Sequence, residues 1–180
     1  FDINTDYLEK LRNGKSYIHH IPSKRISKQI NNNCLVPTND FKKISEVNVI
    51  IICVPTPLTK HREPDLKYIY ATINNIYKYL KRGQLIVLES TTYPGTTDEV
   101  LKPKLMEIGF EIGEDFFLAY SPEREDPGNK NFNANNIPKI LGGITTRCSD
   151  LGLQTYESVI DNVVVVSSTK VAEMTKLLEN

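Results

Sequence analysis

Within 180 residues, 22 lysines and arginines balance 22 aspartates and glutamates, so electrostatics gives no case for nucleic acid or an anionic membrane and points to a small-molecule partner. The length suits one domain with its own core and is too short for two large ones. No apolar run approaches the roughly 18 to 20 residues of a membrane span, no signal-like segment opens the chain, and three scattered cysteines, Cys34, Cys53 and Cys148, lack CxxC spacing, so reduced thiols and a cytoplasmic location are expected.

In chain order, Phe1-Asp2-Ile3 reads as the last residues of a strand. Thr5 or Asp6 then caps a short helix with Tyr7, Leu8 and Leu11 as apolar positions, closed by Asn13-Gly14. Ser23 to Asn33 carries Ile26 and Ile30 at helical spacing, Cys34 to Val36 reads as a short strand, and Asp40 to Glu46 as a short helix. Val47 to Val54 is a strong buried strand, stopped by Pro55-Thr56-Pro57 because proline cannot donate to a ladder; Thr56 is left at its carboxyl end. Pro64 fits the first turn of a helix running to about Lys81, with Ile69, Ile73, Ile76 and Leu80 on one face and Gly83 beyond.

Leu85 to Thr97, LIVLESTTYPGTT, is the most informative stretch. Four apolar residues without polar alternation predict a strand covered on both faces, as in a parallel sheet flanked by helices. Ligands of such sheets sit outside the carboxyl ends of the strands, where Ser90, Thr91 and Thr92 are expected to project. A helix from Thr97 to about Ile108 follows, stopped by Gly109. Phe116 to Tyr120 is a third strand, ending at Ser121-Pro122-Glu123-Arg124, and an asparagine-rich loop spans Asp126 to Asn136. Lys139 to Leu141 with Gly142-Gly143 is a brief strand, Cys148 to Ser158 a helix, Val163 to Val166 a strand, and Ser168 onward a helix. This alternation predicts a doubly wound α/β fold. The opening strand end and the uncapped closing helix lead to the expectation of an internal piece of a longer protein.

Each motif has a bland reading beside its chemical one. Asp2 stands where a dinucleotide fold keeps an acid for the ribose hydroxyls, yet the 180 residues contain no GxGxxG, and an ordinary surface acid fits as well. Thr56 and Thr91 follow buried strands and are turn-capping hydroxyls or ligand contacts. Glu123, in a charged loop, is solvated or positions a water. On the last helix Glu173, Lys176 and Asn180 fall within an arc of roughly 60°, with Val171, Met174, Leu177 and Leu178 on the rest of the buried side; the bland reading is a polar face in water with Glu173 and Lys176 as an i, i+3 pair. His19, His20 and His61 have no partner at metal-ligand spacing, and no metal is assigned.

Seven segments in order, FDIN (1–4), NGKSYIHHIPS (13–23), VIIICVPTPL (49–58), LESTTYPGTT (88–97), SPEREDPGN (121–129), IPKILGG (137–143) and STKVAEMTKLLEN (168–180), resemble the UDP-glucose/GDP-mannose dehydrogenase family, and within it the branch acting on UDP-N-acetylglucosamine. The resemblance implies NAD-dependent oxidation of the primary alcohol of a nucleotide sugar to a carboxylate, through an aldehyde and a cysteine thioester. It implies a mostly parallel Rossmann-like sheet over 1–167, lacking its first strand and glycine loop, with 168–180 beginning the central helix toward a substrate domain, and a homodimer. Asp2 is then the ribose acid, Thr56 and Thr91 cofactor-side hydroxyls with Thr91 also holding a catalytic water, Glu123 the acid/base, and Lys176 and Asn180 the pair stabilising oxyanion character and binding water or substrate. Pro127 stands where UDP-glucose members carry a second glutamate, and Arg124 is the N-acetyl branch's residue. None of the three cysteines has the nucleophile's glycine-rich context, so the 180 residues alone are expected not to complete the reaction. The alternatives are a non-catalytic nucleotide-binding or assembly remnant, or a family member acting on UDP-N-acetylmannosamine, UDP-glucose or GDP-mannose.

Overall fold

The computed structural model describes residues 1–61, 63–123 and 138–179, and the chain divides into two compact units, Phe1–Lys43 and Ile44–Asn180.

The first unit is a pair of helices. Asn4, rather than Thr5 or Asp6, caps α1 (Thr5–Arg12), its side-chain oxygen accepting the N–H groups of Asp6 and Tyr7. The chain turns through Gly14 at φ +68°, where a Cβ would lie 2.9 Å from the Cβ of Ser27 on α2 (Ser23–Asn31), so glycine permits the close approach of the two helices. Tyr7 and Tyr17 stack at 4.1 Å. Neither Phe1–Ile3 nor Cys34–Val36 forms a strand. A strand exists by its ladder, and residues 1–3 make a single backbone bond of this kind, from Asp2 N–H to the Thr38 carbonyl.

Among the described residues, the second unit is built on a five-stranded sheet of β1 (Val49–Ile52), β2 (Leu85–Leu88), β3 (Phe117–Tyr120), β4 (Lys139–Gly143) and β5 (Val163–Val165), in spatial order β1-β2-β3-β4-β5. All neighbours are parallel except β3 and β4, which bears out the mostly parallel α/β expectation. Every residue of β2 and β3 is buried, as their unbroken apolar runs require. The Val47–Val54 strand is shorter than predicted and less buried. Among the described residues β1 has a neighbour on one side only, and Ile51 is 44% exposed.

α3 (Lys67–Ile76) buries Ile69, Ile73 and Ile76 as predicted, but starts three residues after Pro64. Leu58 and Pro64 form a bridge instead, and the Asp65 carboxylate accepts the Lys67 N–H. After β2, a helical stretch is π-helical over Thr96–Leu101 and continues as α4 (Lys102–Met106). α5 (Thr146–Glu157) joins β4 to β5, and α6 (Thr169–Glu179) follows β5. Gly142 and Gly143 let both helices seat against β4: a Cβ on Gly142 would lie 2.3 Å from the Ser168 carbonyl oxygen, and one on Gly143 2.4 Å from the Ser149 nitrogen. Leu85, Val87, Phe117, Ala119, Leu141, Cys148 and Tyr156 pack together as one core. No helix among the described residues is long and apolar enough to cross a membrane.

The reversal at β4 determines what reaches the carboxyl edge of β1, β2 and β3. Because β4 runs the other way, its first residue, Lys139, comes to that edge. α5 and α6, which follow β4 and β5, run back toward it, so the later turns of each deliver side chains there.

Candidate functional site

The segments leaving β1 and β2 are stitched together by their hydroxyls. Ser90 Oγ donates to the Val54 carbonyl at 2.7 Å, and Thr56 Oγ1 donates to the Thr91 carbonyl at 2.6 Å. Of the three hydroxyls expected to project, only that of Thr91 belongs to an exposed residue; Ser90 and Thr92 are buried. The Ser90 hydroxyl reaches a neighbouring carbonyl, is satisfied within the fold and turns inward. Thr92 Oγ1 and the Tyr120 hydroxyl are both buried and interact without completing a hydrogen bond of good geometry. Burial pushes the Tyr120 phenol up to about 12.

Beside them is a buried ionic cluster that sequence reasoning did not single out. Lys139 Nζ lies 2.9 Å from Glu89 Oε1, with the two side chains 9% and 11% exposed. The Tyr156 hydroxyl donates to the same oxygen at 2.5 Å, and the Lys139 ammonium sits 4.8 Å from the centre of the Tyr156 ring. Burial, and next to it the Glu89 carboxylate, raises the Tyr156 phenol above its ordinary value. The signal was present: Glu89 and Lys139 each border an apolar strand directly, where a charge needs a partner. Their pairing depends on the β3–β4 reversal, which spacing does not reveal.

The cysteines are all free. Cys53, expected inside a buried strand, instead follows the end of β1 and is exposed. Partial desolvation, then the charges of Glu89 and Glu123, raise its thiol pKa. Cys148 is buried at the start of α5, its sulfur accepting the Leu118 N–H at 3.3 Å and the Thr145 hydroxyl at 3.2 Å. Among the described residues no three His, Cys, Asp or Glu side chains gather as a metal site.

The faces of α6 are reversed from expectation. Glu173, placed on a solvated arc, is fully buried, whereas Val171, Met174, Leu177 and Leu178 are 42, 44, 47 and 81% exposed. Periodicity identifies two faces but not which one the fold covers, and here the covered face finds donors for its acid. Gly95 N–H donates to Glu173 Oε2 at 2.5 Å, and Thr97 N–H and Oγ1 donate to Oε1 at 2.8 and 2.7 Å. These are groups at a helix N-terminus, suited to a carboxylate. Lys176 does not pair with Glu173; its Nζ donates to the Glu123 backbone carbonyl at 2.7 Å.

Burial raises the Glu173 pKa against the opposing pull of its Thr97 and Gly95 hydrogen bonds. A carboxyl whose folded pKa lies above its unfolded value holds its proton more tightly when folded, so its contribution to stability falls as pH rises from the unfolded value of 4.5 through the raised folded value. Glu173→Gln is expected to lose that fall. Unfolding free energies of both proteins, measured in denaturant across this window, should give a difference that changes with pH, and a constant difference would contradict the assignment.

Of the residues singled out from the sequence, Thr56 and Thr91 are brought together, as are Glu123 and Lys176, and Glu173 joins α6 to the segment that follows Thr91. Asp2 lies in the first unit; its Oδ1 accepts the Asn4 N–H at 2.8 Å, and its other oxygen can accept a sugar hydroxyl. Thr56 spends its hydrogen on Thr91 but keeps lone pairs. Asn180, Arg124, Pro127 and the asparagine-rich loop lie outside the described residues.

Residues 1–160 match the UDP-glucose/GDP-mannose dehydrogenase family, NAD binding domain. The UDP-N-acetyl-D-glucosamine 6-dehydrogenase of Pseudomonas aeruginosa is 35% identical over 182 residues, covering 100% of this chain and 42% of the relative. Among solved structures, UDP-D-ManNAc dehydrogenase from Pyrococcus horikoshii superposes with a TM-score of 0.90 at 31% identity, over 99% of this chain and 43% of that one. A GDP-mannose dehydrogenase ternary complex from Pseudomonas aeruginosa gives 0.87 at 28%, over 99% and 42%. The chain thus spans well under half the length of these relatives.

Proposed function

Because the chain belongs to the UDP-glucose/GDP-mannose dehydrogenase family and carries its NAD-binding domain, we propose that it is part of a cytoplasmic, homodimeric enzyme that oxidises the C6 alcohol of UDP-N-acetylglucosamine to the uronic acid, through an aldehyde and a cysteine thioester. NAD, when bound, accepts the hydride. In this reading residues 168–180 begin the central helix leading to a substrate domain, and the nucleophilic cysteine lies outside the 180 residues.

The roles follow from what each group can do. The free carboxylate oxygen of Asp2 accepts ribose hydroxyls, and the lone pairs of Thr56 with the exposed hydroxyl of Thr91 serve the cofactor side, Thr91 also orienting a water. Asp2 suits the ribose end of a dinucleotide; no GxGxxG cradle for its pyrophosphate is present in the 180 residues. Glu123 acts as acid and base, and Lys176 with Asn180 steadies negative charge developing on oxygen. The observation that carries the reading is the 2.7 Å hydrogen bond from Lys176 Nζ to the Glu123 backbone carbonyl, which brings an ammonium beside the main chain of the residue expected to handle protons.

The likeness to the UDP-D-ManNAc dehydrogenase structure favours UDP-N-acetylmannosamine as the second substrate to try. With full-length enzyme, NAD and each nucleotide sugar in turn, about two NADH per sugar consumed are expected by the chemistry, with kcat/KM highest for UDP-N-acetylglucosamine. A preference for the mannosamine sugar would transfer the assignment to it. NAD binding without NADH formation from any of the sugars would leave a non-catalytic nucleotide-binding module.

A further inference from the structure

Glu173 has no part in the reaction as just described, yet it is a fully buried acid at the candidate site. An uncompensated buried carboxylate is strongly unfavourable, and its compensation comes from the turn entering the helix after β2. The Gly95 and Thr97 N–H groups and the Thr97 hydroxyl all donate to it, at 2.5, 2.8 and 2.7 Å. The turn is shaped for this: Gly95 holds φ +101°, and a Cβ there would meet the Glu99 carboxylate at 3.0 Å. One turn earlier on α6, Lys170 Nζ pairs with Glu99 at 2.7 Å. One turn later, Lys176 Nζ reaches the Glu123 carbonyl at 2.7 Å. A single buried acid therefore fastens the helix carrying Lys176 to the segment that follows Thr91.

We propose that Glu173 is a positioning residue that anchors α6 on the Gly95–Thr97 turn and thereby sets where the Lys176 ammonium stands. The proposal rests on the dehydrogenase reading above. Glutamine fills the same volume but places an N–H₂ group against a backbone donor, so the anchor loosens while the core stays filled.

The test uses full-length enzyme with Glu173→Gln, Lys176→Met and the double variant. Lys176→Met is expected to lower kcat about a hundredfold, the scale of one lost charge-stabilising group. Glu173→Gln should lower kcat about tenfold with the KM for NAD unchanged, and the double variant should fall within about twofold of Lys176→Met alone, because an anchor acting through Lys176 has nothing left to position. Should Glu173→Gln fail to fold, Thr97→Val removes one hydrogen bond from Oε1 and should show the same dependence, about threefold in kcat. Effects that multiply with those of Lys176→Met, or a normal kcat in both anchor variants, would overturn the proposal. No turnover by the unmodified enzyme, or a harmless Lys176→Met, would instead overturn the dehydrogenase reading on which it rests.

Discussion

Lys139→Met is expected to lower the free energy of unfolding by about 3 to 5 kcal/mol, the cost of leaving one partner of a buried ion pair uncompensated. Methionine keeps most of the lysine stem's volume, so the loss reports the charge and not a cavity. Glu89 would retain the Tyr156 hydroxyl as a donor, which keeps the loss from growing further. The measurement is the denaturation midpoint in urea. The double variant Glu89→Leu/Lys139→Met should recover much of the stability, since removing both charges also removes the cost of desolvating them. Recovery should be incomplete because Tyr156 then loses the carboxylate it donates to. A single-variant loss under about 1 kcal/mol would mean that the pair behaves as a solvated surface contact.

Gly142→Ala is the second large effect. A Cβ at this position would lie 2.3 Å from the Ser168 carbonyl oxygen and 2.6 Å from its carbon, and backbone cannot rotate aside as a flexible side chain can. The entry of α6 must move off β4, at a cost of about 3 kcal/mol, or a fall in melting temperature of about 6 to 12 °C for a domain of this size. Gly83 is the control: its φ is +87°, but nothing lies within 4 Å of an added Cβ. Gly83→Ala should therefore lose only the conformational term, about 1 kcal/mol. Equal effects at the two sites would show that backbone conformation, not close approach, governs both.

These variants also mark where sequence patterns stop being informative. The LIVL run at Leu85–Leu88 specified a strand covered on both faces, because burial on both sides leaves no place for a polar residue. The isoleucines of α3 likewise named its buried face. On α6 the same logic selected the wrong face. An exposed apolar stripe and a buried Glu173 reverse the usual assignment, and they do so through donors on a turn 76 to 78 residues away in sequence. The Glu89–Lys139 pair was hidden for a related reason: 50 residues separate its members, and they meet through the reversed strand. The positions of Thr56 and Thr91 at strand ends could be inferred from proline and glycine punctuation. That Ser90 turns inward could not, because this depends on carbonyls at the neighbouring strand end. Cys53 was misplaced by a strand boundary drawn two residues too late.

Among the described residues, the strand order of the second unit coincides with the order in the chain. Among them, each of β2 to β5 therefore pairs with the strand made just before it. Pairing of sequence neighbours keeps loop-closure entropy low and favours rapid folding. α6 then closes the sequence of events by bringing Glu173 onto a turn formed well before it.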